Sequence, residues 1–84
     1  MPKTDRDPLA ALVHVAELIE NGGQITVGQL PPIECVAVAN DEHNCLAMLR
    51  RRPGETMFQL LARLDEAIAT AWIDQYFTDE INQK

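Results

Sequence analysis

Between Glu34 and Leu49 the chain alternates two kinds of apolar side chain. Val36 and Val38 alternate with the small Cys35, Ala37 and Ala39, and Leu46 and Met48 alternate with Cys45 and Ala47. A period of two belongs to strands, and the polar run Asn40–Asn44 between the two segments reads as a hairpin loop. We predict strands over residues 34–39 and 45–51. Setting large opposite large places Val38 across from Leu46 and Val36 across from Met48, with Ala39 opposite Cys45, Ala37 opposite Ala47 and Glu34 opposite Arg50. The predicted hairpin has a bulky face and a small one. In this register Cys35 lies opposite Leu49, ~13 Å along the strand from Cys45, too far for a disulfide.

Helical periodicity flanks this centre. Leu9, Leu12, Val13, Ala16 and Ile19 recur at helical spacing, widened by Val15 and Leu18, with His14, Glu17 and Asn21 opposite. Asp7 followed by Pro8 is a start signal, and Asn21, Gly22 and Gly23 are a stop, so a helix is predicted over residues 8–20 after a loose end, 1–6. Ile25–Leu30 alternates weakly and admits a short strand, closed by Pro31 and Pro32. After Arg51, Arg52, Pro53 and Gly54, Thr56 with Gln59 spells a capping box. The helix predicted over 56–74 buries Met57, Leu60, Leu61, Leu64, Ile68, Ala71 and Trp72, leaving Gln59, Arg63, Glu66, Thr70 and Asp74 to water. The tail, 75–84, either prolongs that helix or turns into a short extended segment at 76–81.

These elements predict an α+β fold, a small two-layer domain in which a central antiparallel β-hairpin, with Ile25–Leu30 as an optional third strand, packs against two helices in the order α-(β)-β-β-α. The helix from Thr56 is expected on the bulky face. If nothing covers the small face, Cys35, Ala37, Ala39 and Ala47 form a flat patch suited to a homodimer.

Length and charge narrow the function. The 84 residues suit a single domain. A net charge of −6, from 13 acidic and 7 basic groups, repels phosphate backbones and anionic membranes, so nucleic acid is an unfavoured partner and no membrane is expected. Two cysteines and no signal-peptide pattern make the cytoplasm the expected location.

The candidate chemistry is sparse. Cys35, Cys45 and His43 match no zinc spacing and read as buried thiols and a loop imidazole. Asp41, Glu42 and His43 occur with no nucleophile or oxyanion donor, as a solvated turn requires, and His14 reads as a surface residue. No catalytic, cofactor-binding or metal site is expected. Two groups carry more weight. Arg50, Arg51 and Arg52 form a basic run that either pairs with the protein's own acids, Glu34 among them, or meets an acidic partner or nucleic acid. Trp72, Tyr76 and Phe77 hold three of the four aromatics and either close the core or anchor a partner.

A strand followed by PGET and LLARLDEAIATAW resembles the strand-to-helix passage of HicB-like antitoxins over about a quarter of the chain. The proline- and glycine-bearing signature that precedes this passage in the family is absent, LPPIE standing near its place, and no functional residue carries over. The expected function is a non-enzymatic protein–protein interaction or regulatory module, binding another protein or itself. The alternatives are an antitoxin-type regulator with weak nucleic-acid contact through Arg50–Arg52, and an acidic mimic of nucleic acid.

Overall fold

The alternating middle of the chain forms a sheet in the computed structural model, which describes residues 11–82. Strand β1 (Gln24–Leu30) pairs antiparallel with β2 (Glu34–Asn40), and β2 with β3 (Cys45–Arg50). The two-residue β4 (Thr78–Asp79) lies parallel to β3, giving the order β1-β2-β3-β4. Helix α1 (Val13–Glu20) precedes the sheet and α2 (Met57–Asp74) joins β3 to β4. The class is α+β, with a mixed sheet of four strands. The segment at Ile25 is a strand in full, and the tail contributes the fourth. A parallel neighbour requires a long crossover, which α2 supplies.

Pro31 and Pro32 occupy the β1–β2 turn, joined by a cis peptide bond. Their missing N–H groups cost the ladder nothing there, and the Ile33 N–H closes the turn on the Leu30 carbonyl at 2.7 Å.

The register of β2 against β3 differs from the predicted one by two residues. Val38 faces Met48, Val36 faces Arg50, Ala37 faces Leu49 and Ala39 faces Ala47. The Asp41–Asn44 turn sets this pairing: the Asp41 carboxylate accepts from the His43 and Asn44 N–H groups at 2.8 and 2.6 Å, while the Asp41 N–H donates to the Asn44 carbonyl. An irregularity beside Asn40 leaves Leu46 without a partner, as in a β-bulge. Leu46 therefore lies in the core with the alanine face and Cys45 is exposed, so the two exchange the bulky and small faces predicted for them, and Cys45 is not the buried thiol expected.

The helices cover the small face of the sheet, not the bulky one. Ala37, Ala39, Ala47 and Leu49 are buried in one cluster with Leu60, Leu64, Ile68 and Ala71 of α2 and Leu12, Val15 and Leu18 from α1 and its leading residue. Small side chains on the sheet leave room for the large ones that α2 presents, so the two layers interdigitate. The alanine face is thus unavailable for a homodimer. On the other face Val38 and Met48 are only half-buried, while Val36 is buried outside that cluster.

Helix α1 begins at Val13, later than predicted. The expected Asp7–Pro8 start and the end 1–6 lie outside the described residues. The buried set is Leu12, Val15 and Leu18, whereas Val13, Ala16 and Ile19, expected in the stripe, are exposed. The turn after α1 needs its glycines. Gly22 takes φ +94°, and a Cβ on Gly23 would overlap the Leu18 side chain and stand 2.8 Å from the Asn40 carbonyl oxygen.

Helix α2 opens on a capping box. The Thr56 hydroxyl accepts from the Gln59 N–H at 3.1 Å, and the Gln59 side-chain oxygen accepts from the Thr56 N–H at 2.8 Å. The helix closes on Gln75, in the left-handed region at φ +56°. Met57 and Trp72, expected in its apolar stripe, are exposed at its two ends. Leu64, fully buried between the layers, is its central contact. Leu64→Ala is expected to lower unfolding stability by about 2–5 kcal/mol, read from urea titration; near-wild-type stability would remove this packing account.

Candidate functional site

Six side chains are candidate partner contacts, and the structure divides them into two groups at opposite ends of α2, a helix of 18 residues or about 27 Å.

At the first end, Arg63 organises the junction of β3, α2 and β4. Its guanidinium grips the Glu55 carboxylate with Nε to Oε2 at 2.6 Å and Nη2 to Oε1 at 3.0 Å, and it donates Nη1 to Glu80 at 2.8 Å and Nη2 to the Arg50 carbonyl at 2.9 Å. Glu55 also accepts from the Arg52 N–H, and Glu80 from the Arg50 N–H. These bonds hold the Glu55 carboxyl far below its ordinary 4.5, at about 2, chiefly through the Arg63 guanidinium. Arg63, expected on the water-facing side of its helix, is instead the partly buried hub of this junction.

Arg50, Arg51 and Arg52 surround an open groove of about 1080 Å³ that Gln29, Glu34, Cys35, Glu55 and Thr56 also line. All three arginines are exposed. Arg51 donates Nε to the Glu55 carbonyl at 2.8 Å, and Arg52 reaches Glu80 at 3.6 Å. The chain's own acids do meet this end, but they are Glu55 and Glu80. Glu34, the expected partner of Arg50, stands opposite Leu30 at the β1–β2 turn.

At the second end, Trp72 is 39% exposed, Ile73 76%, Tyr76 61% and Phe77 52%. The aromatics therefore do not close the core. The Trp72 ring meets the His14 imidazole edge-on, with centroids 6.1 Å apart, and Val13 is exposed beside His14 in the chain.

His14 is not a plain surface residue. Asp65, only 6% exposed, accepts from the His14 and Val15 N–H groups, each at 2.8 Å, and lies 2.9 Å from His14 Nδ1. Because Leu12 at the N-cap offers no side-chain bond, the Asp65 carboxylate satisfies the free amides at the start of α1 from the neighbouring helix. An imidazole held by a carboxylate also occurs in catalytic triads, but among the described residues no hydroxyl or thiol is hydrogen-bonded to His14. The geometry supports helix capping. Glu55, Arg63, Asp65 and Glu80 were all missed as site residues, because their contacts are set by the chain's return and not by local spacing.

The two thiols lie apart. Cys35 and Cys45 are free, the first buried and the second exposed, at opposite ends of the β2–β3 pair. Compared with known proteins, the chain matches no protein-family model, no curated protein and no solved structure.

The Glu55 carboxyl has a lowered folded-state value, so the stability it contributes is complete above about pH 4.5 and disappears as pH falls through about 2. Glu55→Gln turns an amide toward Arg63 and is expected to cost about 1.5–3 kcal/mol at pH 7. Its stability should fall less steeply than wild type between pH 4.5 and 2; parallel pH profiles from thermal melts would show that Glu55 is not the responsible group.

Proposed function

We propose that the protein is a non-enzymatic interaction module that docks another protein on the C-terminal end of α2. The observation that supports this reading is the exposure of Trp72, Ile73, Tyr76 and Phe77 together, within six residues. Isolated exposed apolar residues are ordinary, but four within six residues, Trp and Tyr among them, have the composition of an interface anchor. Its side chains contribute little to the core, so docking leaves the fold undisturbed.

A second reading, the antitoxin-type regulator, is favoured by one feature: Arg50, Arg51 and Arg52 line a groove open to solvent. An anionic partner, a nucleic acid or an acidic peptide, suits that groove. Against it stand Glu34 and Glu55 in the same groove and the net charge of −6.

The two readings separate in one comparison. Proteins retained by the immobilised wild-type chain from a lysate of its source cell should bind Ile73→Asp roughly 30-fold more weakly or worse, with unchanged thermal stability and unchanged capture by the Arg50/Arg51/Arg52→Ala variant. The regulator reading expects the converse, together with a gel shift on DNA or RNA that weakens with salt. Equal capture by wild type and Ile73→Asp would discard the aromatic end as the docking surface.

A further inference from the structure

Strand β1 forms an edge of the sheet with nothing paired to its outer side among the described residues. Its sequence, QITVGQL, holds no charge and no proline, and it pairs with β2 without a bulge over all seven residues. Exposed edges are ordinarily blunted by lysine, proline or a bulge. In a chain with 20 charged residues, a bare edge of this length is a surface built for pairing. We propose that β1 pairs antiparallel with β1 of a second copy, about a two-fold axis at Val27, to give one continuous sheet of eight strands.

The backbone sets the register. The Cys35 carbonyl accepts from the Arg51 N–H, so the peptide groups of Cys35 point toward β3. On the far side of β3, the Met48 carbonyl accepts from the Glu80 N–H and the Arg50 N–H donates to the Glu80 side chain, in keeping with the same alternation. Successive residues of a strand point their N–H and C=O groups to opposite sides. Val36 and Val38 therefore face β1, where Gly28 and Thr26 are their partners, and Ile25, Val27 and Gln29 turn their N–H and C=O groups outward.

Those three residues are symmetric about Val27. A two-fold axis there pairs Val27 with the Val27 of the second copy and each Ile25 with the opposite Gln29. All three outward N–H groups of both strands then find carbonyl partners, six bonds in total by this alternation. Thr26 falls opposite Gly28, where nothing stands within 4 Å of a Cβ position, so the strands approach without a clash. The axis also brings unlike charges abreast. The Gln24 end of β1 lies beside Glu20, Asp41 and Glu42, with the Glu42 carboxylate near Gly22. The Leu30 end is paired with Glu34 and opens on the groove that Gln29 shares with Arg50, Arg51, Arg52 and Glu55, where three arginines outnumber two glutamates. Antiparallel pairing sets the acidic end of one copy alongside the end of the other where arginines outnumber acids by one, a modest charge match added to the hydrogen-bond symmetry that carries the pairing. This contact is separate from the aromatic end of α2 and does not depend on its role.

Sedimentation of the full chain over a wide range of concentration, together with amide hydrogen exchange, tests the pairing. The wild type is expected to form dimers as concentration rises, and the Ile25, Val27 and Gln29 amides to gain protection in step with dimer formation. Gln29→Pro deletes two of the six bonds per dimer while sparing the ladder to β2, and is expected to weaken dimerisation about ten- to a hundredfold with the circular dichroism spectrum retained. If that variant does not fold, Thr26→Lys, which places a charge on the edge from an exposed position, is expected to raise the dissociation constant likewise. A chain that stays monomeric throughout, a dimer in which those three amides exchange as freely as in the monomer, or unchanged dimerisation in a folded edge variant would overturn the proposal. The second of these outcomes would move self-association to another surface, such as the aromatic end.

Discussion

The close seating of α2 on the alanine-lined face of β2 and β3 is the contact on which the rest of the molecule depends. Ala37, Ala39 and Ala47 offer a low surface, and Leu60, Leu64 and Ile68 descend into it with no accessible area left. In a chain of 84 residues, where the fraction of surface that folding buries is modest, most of the available apolar contact is concentrated in this layer. Had α2 settled on the other face, against Val38 and Met48, two bulky surfaces would have met and the layers could not have interdigitated as closely. The six residues of β3 span about 20 Å, against about 27 Å for α2. The helix is thus longer than the strand it packs on, and its buried set stops at Ala71.

Two clusters, one centred on the Asp65 carboxylate and one on the Arg63 guanidinium, fix how the other elements attach to that layer. Asp65 projects sideways from α2 and takes the first amides of α1, so the position of α1 over the sheet is tied to the rotation of α2 about its axis. Arg63 reaches the end of β3 through the Arg50 carbonyl and the residue just after β4 through Glu80. Its bonds are charge-assisted, and its grip on Glu55 is bidentate, so they are directional as well as strong. Such contacts do less for net stability than the apolar layer does, because their groups give up hydration to form them. They determine where a two-residue β4, too short to hold itself, comes to rest against β3.

The sequence disclosed the parts of the fold that depend on neighbouring residues. Thr56 and Gln59 spell their capping box within four positions, and the alternation through Val36, Val38, Leu46 and Met48 announces strands. What was not legible has a common physical origin. A register slip of two residues keeps every side chain on its face, so large-with-large matching could not distinguish Val38 opposite Leu46 from Val38 opposite Met48. Nor does alternation say which face is buried, since a helix bearing large residues selects small ones. The irregularity that turns Leu46 inward follows from the hydrogen bonds of Asp41, which composition does not show. The Arg63 pairs span 8 and 17 positions, and the Asp65 pairs 50 and 51, outside any local spacing rule. The six candidate contacts are exposed, and the two groups into which the sequence divides them stand at opposite ends of α2, a placement that sequence distance alone does not give.

Exposure at those two sites and along β1 is not forced by the fold. Polar residues at 73, 76 and 77 would leave the buried cluster intact, because no member of that cluster lies beyond Ala71. A lysine at Thr26 would likewise leave the ladder to β2 intact, because that ladder is made by the backbone. A surface under no constraint except solvation in a chain this strongly charged drifts toward polar side chains. Retaining Trp72, Ile73, Tyr76 and Phe77 at one end, and an uncharged seven-residue strand at one edge, incurs a cost in solubility that the isolated chain does not recover. The proposed contacts with other chains would recover it, by burying apolar area at the aromatic end and by completing backbone hydrogen bonds at the edge.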